Sequence, residues 1–158
     1  MNRCLAWASL LLLCAALAAC SSGPVRRVSP PAASIQQLTV NADGSWSVDL
    51  RLQNYSSIPM QFTSATLAIA VSDQAAGTLL GKPQISIGPE SADVVTLPFK
   101  PTVEARIVVA DALAGRRPLG YAFKGTLDAV PEEGKSRSFD IKTNNTLNPV
   151  PGLDGVLR

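Results

Sequence analysis

Histidine is absent from all 158 residues of the chain. This absence excludes the Ser-His-Asp triad, the Cys-His pair and every histidine-ligated metal site. The carboxylates that remain are scattered: Asp49, Glu90 and Asp93 fall on predicted outer faces, and the pair Glu132-Glu133 falls in a predicted solvated turn. The sequence therefore predicts a protein that is not an enzyme, with no catalytic residue, no cofactor, no metal site and no small-molecule substrate.

Cysteine is scarce and confined to the first 20 residues, at Cys4, Cys14 and Cys20. Arg3 precedes an almost wholly apolar run over residues 5–19. A charged start followed by a short apolar run is typical of a secretory signal peptide, whereas a membrane-spanning helix needs ~20 apolar residues. Removal of residues 1–19 would leave only Cys20, so the sequence predicts no intramolecular disulfide.

The string Leu17-Ala18-Ala19-Cys20 resembles the bacterial lipoprotein box, in which the cysteine is acylated and becomes the mature N-terminus. The resemblance implies lipidation at Cys20 and attachment to a membrane, because each buried methylene of a lipid chain adds ~0.8 kcal/mol of membrane affinity. Ser21 follows the cysteine, where an aspartate would signal retention in the inner membrane. We therefore expect a lipid-anchored protein at the outer membrane of a Gram-negative cell, facing the periplasm.

The chain has little excess charge, with 14 basic and 12 acidic residues. Nucleic-acid binding needs a clustered excess of Lys and Arg, so a nucleic-acid partner is not expected. Arg26-Arg27 and Arg116-Arg117 are the basic doublets. The first of them is either a contact with the membrane surface or an ordinary solvated pair.

Two terminal segments lack apolar periodicity. Residues 20–33 join the lipidated cysteine to a stretch rich in Ser, Gly and Pro. Such a chain extends by ~3.1 Å per residue, which predicts a tether of about 40 Å. Residues 143–158 are rich in Asn, Pro and Gly, and this composition predicts a loosely ordered C-terminal tail.

The body between these ends alternates apolar and polar residues, as expected for strands with one buried face. The first clear case is 46–53, and Asp43-Gly44 before it is a hairpin turn signal. The apolar phase shifts within 60–71, which predicts a β-bulge near Thr63-Ser64. Gly125 interrupts an inner face in 119–129, where a glycine indicates close backbone approach or a bulge.

Residues 102–115 fit two secondary structures. A helix would place Val103, Ile107, Ala110 and Ala114 on one stripe, with Thr102 as N-cap and Gly115 just past the C-terminus. The β-branched run 107–109 favours a strand instead. The helix is the preferred interpretation.

About seven strands with turns every 8 to 12 residues predict a mostly β protein. The expected fold is an antiparallel β-sandwich with one short helix, similar to fibronectin type III and immunoglobulin domains.

Residues 48–99 carry a resemblance to a known family. They contain a strand ending in Asn54, an apolar strand after Pro59, a Gly-rich turn region and the strand "VVTLPF". This pattern resembles the late-embryogenesis-abundant type 2 (LEA type 2) family, also called the water-stress and hypersensitive-response (WHy) domain, and extends over about 34–142.

Only Asn54 carries over from the Asn-Pro-Asn corner of that family, because Tyr55 and Ser56 stand at the next two positions. An Asn here can bond its own chain two residues further on, which suits a strand-ending turn.

The resemblance implies a non-enzymatic protein that protects client proteins or the cell envelope during desiccation and other stress. It would do so by surface contact, with exposed apolar segments such as "YSSIPM" (55–60) as candidate contact sites. The alternative for these residues is ordinary closure of the sandwich, which is the preferred interpretation for any single one of them. The alternative function is a protein-binding module in envelope assembly or transport, in which an edge strand accepts a partner strand.

Overall fold

A computed structural model describes residues 26–158, which form nine strands and one helix. The strands are β1 (Ala32–Val40), β2 (Trp46–Gln53), β3 (Met60–Val71), β4 (Gln74–Gly81), β5 (Ile85–Ile87), β6 (Ala92–Phe99), β7 (Leu119–Pro131), β8 (Arg137–Leu147) and β9 (Val156–Leu157). The helix α1 spans Val103–Ala114, between β6 and β7.

The strands form two antiparallel sheets that pack around one core. The first sheet has the order β6-β2-β1-β9. The second has the order β4-β3-β7-β8, and β5 pairs with the first residues of β3. The predicted fold class, a mostly β antiparallel sandwich with one short helix, is confirmed, although the described residues form nine strands rather than about seven.

Apolar residues alternate with polar residues along the strands, and the apolar side chains fill the core, as the sequence predicts. In β2 the buried residues are Trp46, Val48, Leu50 and Leu52. In β3 the buried phase changes between Phe62 and Ala65, and the pairing of β3 with β7 shifts register between Phe62 and Ser64. The predicted bulge is therefore confirmed, and it is the reason that both halves of β3 point apolar side chains inward.

At Gly125 of β7 the backbone of β3 approaches closely. A Cβ atom at this position would stand 1.9 Å from the carbonyl oxygen of Thr66. Only glycine fits this approach, so the prediction of close backbone contact at Gly125 is confirmed.

Helix α1 begins at Val103 with Thr102 as its N-cap, whose hydroxyl accepts a hydrogen bond from the Ala105 amide at 3.3 Å. The helical interpretation of this segment is confirmed. The residue with left-handed backbone after the helix is Arg116 (φ 50), whereas Gly115 keeps a right-handed φ of −82. Gly115 thus lies just past the helix, as predicted, but Arg116 rather than this glycine takes the left-handed C′ position.

The buried face of α1 also differs from the prediction. The helix buries Ala105, Val109 and Ala112 against the sandwich. The predicted apolar stripe forms on one side of the helix but faces solvent rather than the core; its residues are Val103, Ile107, Ala110 and Ala114. Both faces of this helix carry apolar residues, so periodicity alone could not decide which face packs inward.

The C-terminal residues are more ordered than the sequence indicates. Strand β8 continues to Leu147, and β9 adds to the edge of the first sheet by pairing with Leu38 and Thr39 of β1. Leu147 and Leu157 are buried in the core. The prediction of a loosely ordered tail over 143–158 is wrong, because these two leucines anchor the segment at both ends.

The boundary between the N-terminal tether and the sandwich also differs from the prediction. Strand β1 begins at Ala32, Ala33 is buried in the core, and Pro31 is buried just before it. The predicted tether over 20–33 therefore does not extend to residue 33. The predicted signal peptide over 1–19 and the predicted lipidation site Cys20 lie outside the described residues.

Candidate functional site

The sandwich has two ends with different chemistry. One, the near end, lies where β3 starts at Met60 and β7 stops at Pro131. The other, the far end, lies where Val71 of β3 pairs with Tyr121 of β7. A strand of twelve residues at ~3.3 Å per residue separates the two ends by about 36 Å.

Asn54, the residue matched to the family motif, organises the near end. Its buried side-chain amide donates to the carbonyl oxygens of Ile58 (2.9 Å), Ile87 (3.1 Å) and Gly88 (2.8 Å). Its side-chain oxygen accepts from the Ser56 amide at 2.8 Å, so the predicted bond two residues further on is confirmed. Asn54 therefore joins the β2–β3 corner to the last residue of β5 and the residue after it, which is a structural role.

The predicted contact segment 55–60 is mostly closed. Ser56, Ile58 and Met60 are buried, and the Ser56 hydroxyl lies 3.0 Å from the Met60 sulfur. Among the large apolar side chains of this segment, only Tyr55 is exposed. The segment closes the core, so of the two interpretations sandwich closure is confirmed and the role as an exposed apolar contact site is wrong.

Residues 26–29, the N-terminal arm, lie against this corner. The Arg27 amide donates to the Ser57 hydroxyl at 2.8 Å, and the Ser29 amide donates to the Ser56 hydroxyl at 3.0 Å. The arm is therefore held by its own backbone, and the chain enters the sandwich at the near end.

The basic doublet of the arm makes ion pairs on the surface. Arg26 lies 3.7 Å from Glu132 and 3.2 Å from Glu133, and Arg27 lies 3.7 Å from Glu90. All of these side chains are half exposed or more, and exposed ion pairs contribute only about 0–1 kcal/mol each. The predicted turn at Glu132-Glu133 is thus solvated but also paired with Arg26.

The far end carries the exposed apolar surface of the helix. Thr102 fixes the start of α1 there, because its amide and hydroxyl donate to the carbonyl oxygens of Ala76 and Ala75 at 2.9 Å each. We call Val103, Ile107, Ala110 and Ala114 the helix stripe. Val103 is 56% exposed and Ile107 is 64% exposed.

A groove adjoins the last turn of the helix. Leu113, Ala114 and Arg116 form one wall, and residues 149–155 form the other. This C-terminal groove has a volume of about 550 Å³, and Leu153 in its loop wall is 51% exposed. The helix stripe and Leu153 together form the far-end surface, which the sequence did not reveal because residues 143–158 were predicted to be loose.

Both signs of charge surround the far-end surface. Asp111 and Arg117 form an ion pair on the helix. Glu104, Arg116 and Asp154 have no ion-pair partner within residues 26–158. The surface therefore offers apolar contact with a nearly neutral rim rather than a strong field of one sign.

Three side chains have shifted pKa values, and each shift has a structural cause. Hydrogen bonds from Ser45 lower the pKa of Asp43 in its hairpin turn, and hydrogen bonds from Ser64 and Ser138 lower the pKa of Asp128. Burial raises the pKa of Tyr121. These three groups lie in a turn, beside a bulge and in the core, so they do not converge on one site.

Within residues 26–158, no group of three or more His, Cys, Asp or Glu side chains is placed to hold a metal ion. In the same part of the chain, we find no helix with the length and apolar character needed to cross a membrane.

Comparison with known proteins finds solved structures of distant similarity. No family model matches the chain, and no curated protein matches it. A Bordetella pertussis crystal structure named as ApaA is 17% identical, with a TM-score of 0.47, and the match covers 82% of this chain and 100% of that one. The solution structure of AT1g01470 from Arabidopsis thaliana is 10% identical, with a TM-score of 0.49, and the match covers 85% and 91% respectively.

A crystal structure from Archaeoglobus fulgidus is 11% identical, with a TM-score of 0.38, and the match covers 76% of this chain and 97% of that one. Matches at such identities and TM-scores carry no argument about the role of this chain. The resemblance to the LEA type 2 family stays a prediction.

Proposed function

We propose that this chain is a non-enzymatic lipoprotein of the outer membrane that protects client proteins by surface contact during desiccation and other stress. In this proposal Cys20 carries the lipid, the N-terminal arm enters the sandwich at the near end, and the far-end surface contacts clients. The clients are envelope or periplasmic proteins whose apolar segments become exposed when they begin to unfold.

The observation that carries the proposal is the position of the far-end surface. The arm enters beside Glu132 and Glu133 at one end of β3, whereas the helix begins beside the other end of this strand, which is about 36 Å long. A chain anchored through its N-terminus would therefore hold the stripe away from the lipid and toward the periplasm.

The composition of the far-end surface supports contact with unfolded segments. Its exposed members are aliphatic, and aliphatic side chains bind exposed apolar groups without requiring a particular sequence. The charges at its rim nearly balance, so neither acidic nor basic clients are repelled. Contiguous exposed apolar patches on soluble domains mark interaction sites.

The test is an aggregation assay. We expect the purified chain, at stoichiometric ratios, to slow the aggregation of a heat-labile enzyme during heating and during drying and rehydration, as followed by light scattering. A globular protein of similar size without such a patch provides the control. If the chain slows aggregation no more than this control does, the proposal is wrong.

Strand β8 favours the second candidate function, a binding module in envelope assembly. It is an eleven-residue edge strand, and among residues 26–158 no strand pairs with its outer side. Its exposed side chains include Arg137, Asp140 and Lys142, which protect an edge from self-pairing but still permit a specific partner strand. Cross-linking in cells that recovers one dominant partner, without any anti-aggregation effect in vitro, would favour this function.

A further inference from the structure

The helix stripe is spaced for contact with another helix. Its residues follow one another at intervals of four, three and four, which is the spacing of a coiled-coil seam. The bulky members Val103 and Ile107 occupy the first half of α1, and the small members Ala110 and Ala114 occupy the second half. An antiparallel copy of the same helix would therefore place each bulky residue against a small one, with Val103 opposite Ala114 and Ile107 opposite Ala110.

The C-terminal groove extends this complementarity. It lies beside Ala114, the small residue that would face Val103 of a second copy. The groove has room for the valine side chain, and Leu153 offers it an apolar contact. A two-fold interface requires such self-complementarity, because every contact occurs twice.

In this arrangement one cation can serve two carboxylates. Glu104 lies on the same side of the seam as Asp111, so the antiparallel register places Glu104 beside the Asp111–Arg117 pair of the other copy. Glu104 has no ion-pair partner within its own described residues, and Arg117 can be shared between the two carboxylates.

We propose that a second copy of this chain covers the far-end surface, with the two α1 helices antiparallel and Val103 of each seated at Ala114 and the C-terminal groove of the other. In addition, the dimer regulates client contact. This regulatory role rests on the proposed function of the same surface. Copies shield each other's stripe when clients are absent, and clients displace the second copy when they expose apolar segments.

Two other occupants fit less well. If the chain is cleaved before Cys20, as proposed, residues 20–25 precede the arm, and six residues reach about 20 Å when fully extended, which is less than the length of β3. The lipid of the proposed anchor lies at that same near end, away from the stripe. A second copy is the occupant whose shape and charge the surface itself matches.

The size of the interface predicts a weak and exchanging dimer. Helix α1 has twelve residues and is about 18 Å long, so it buries much less than the ~1,600 Å² of a standard protein interface. Such a dimer can yield to clients, and it is best detected by covalent trapping.

The test uses disulfide trapping with the full chain in cells. Two variants, Val103→Cys and Ala114→Cys, carry tags of different size and are produced together or alone, and the cells are treated with a mild oxidant. In the proposed register, Val103 lies opposite Ala114, whereas two copies of either residue are about 16 Å apart along the axis, too far for a disulfide. We expect the mixed product to exceed either self-linked product about tenfold, because only the mixed pair has disulfide geometry.

Controls separate the seam from random contact. The unsubstituted chain reports any disulfide formed through its native cysteines, and mass spectrometry identifies the linked peptides. Adding Ile107→Asp should reduce the mixed product to background, whereas adding Leu80→Asp, which is 68% exposed on β4 and lies outside the seam, should leave it unchanged. Self-linked products that equal the mixed product, or no mixed product above background, would overturn the dimer.

The aggregation assay is read independently of the trapping. Protection without the mixed disulfide would contradict the dimer and still support the proposed function. The mixed disulfide without protection would support the dimer and contradict the proposed function.

Discussion

The phenol oxygen of Tyr121 in β7 accepts a hydrogen bond from the backbone amide of Ile35 in β1 at 2.9 Å. This bond crosses between the two sheets. It reaches β1 where the register with β2 shifts between Ile35 and Gln37, so the tyrosine satisfies an amide at an irregular point of the ladder. A core side chain from one sheet thus completes the hydrogen bonding of the other.

Replacing Tyr121 by Phe removes this acceptor while keeping the ring. We expect Tyr121→Phe to lower the free energy of unfolding by about 1–3 kcal/mol, because the buried amide of Ile35 loses its partner. Urea denaturation measures the change. Tyr55→Phe is the matched control, because Tyr55 is 50% exposed, and its change should stay within about 0.5 kcal/mol.

The same pair of variants predicts a pH dependence. Burial raises the pKa of Tyr121 above its usual 10.0, so the neutral phenol is favoured in the folded state. The stabilisation from Tyr121 is complete below pH 10.0 and is lost as pH rises through the raised pKa. The stability difference between the natural chain and Tyr121→Phe should therefore shrink above pH 10.0, and a constant difference up to alkaline unfolding would contradict this account.

Asn54→Ala tests the near-end corner. The substitution leaves the carbonyl oxygens of Ile58, Ile87 and Gly88 without their side-chain donor. We expect a loss of about 2–4 kcal/mol in the free energy of unfolding, because several buried polar groups lose partners at once. Asn144→Ala on the exposed face of β8 is the matched control, and an equally small effect of both substitutions would refute the role of Asn54.

Gly125→Ala tests the close approach of β3 and β7. The new Cβ would meet the Thr66 carbonyl oxygen at 1.9 Å, so the two strands must move apart. We expect a loss of about 3 kcal/mol or more in thermal or urea denaturation, since backbone atoms yield less easily than side chains. Gly120→Ala in the same strand has no atom within 4 Å of the added Cβ and should be neutral. Similar stabilities for the two variants would show that the strands are not in contact at Gly125.

Leu157→Ala tests the order of the C-terminal residues. Leu157 is fully buried in β9, so its truncation should cost about 2–5 kcal/mol in the free energy of unfolding. Leu153→Ala, nearby but half exposed, should cost much less. A tail that is loosely ordered in solution would give two small and equal effects.

Much of the sandwich could be predicted from the sequence because its strands alternate cleanly. The buried face of β2, the bulge at Thr63-Ser64 and the close approach at Gly125 each follow from the phase of apolar residues. The internal bond of Asn54 follows from the chemistry of its side chain, but its bonds to Ile87 and Gly88 come from tertiary contacts that spacing does not reveal.

The far end was hidden for a different reason. Helix α1 is apolar on two faces, and small alanines on its inner face fit closely against the sandwich while Ile107 stays outside. The C-terminal groove requires residues 149–155 to be held in place, and this order comes from Leu147 and Leu157, two buried leucines within a stretch rich in Asn, Gly and Pro. The prediction of a loose tail followed from the Asn, Pro and Gly content of residues 143–158 and did not take account of these two leucines.

The central claim is that the far-end surface contacts clients. It is tested most directly by comparing Ile107→Asp with Leu80→Asp in the aggregation assay, because both replace an aliphatic side chain that is more than half exposed. The account predicts that Ile107→Asp loses most of the protection while Leu80→Asp keeps it, with both variants folded by circular dichroism. Equal protection by the two variants would contradict the account.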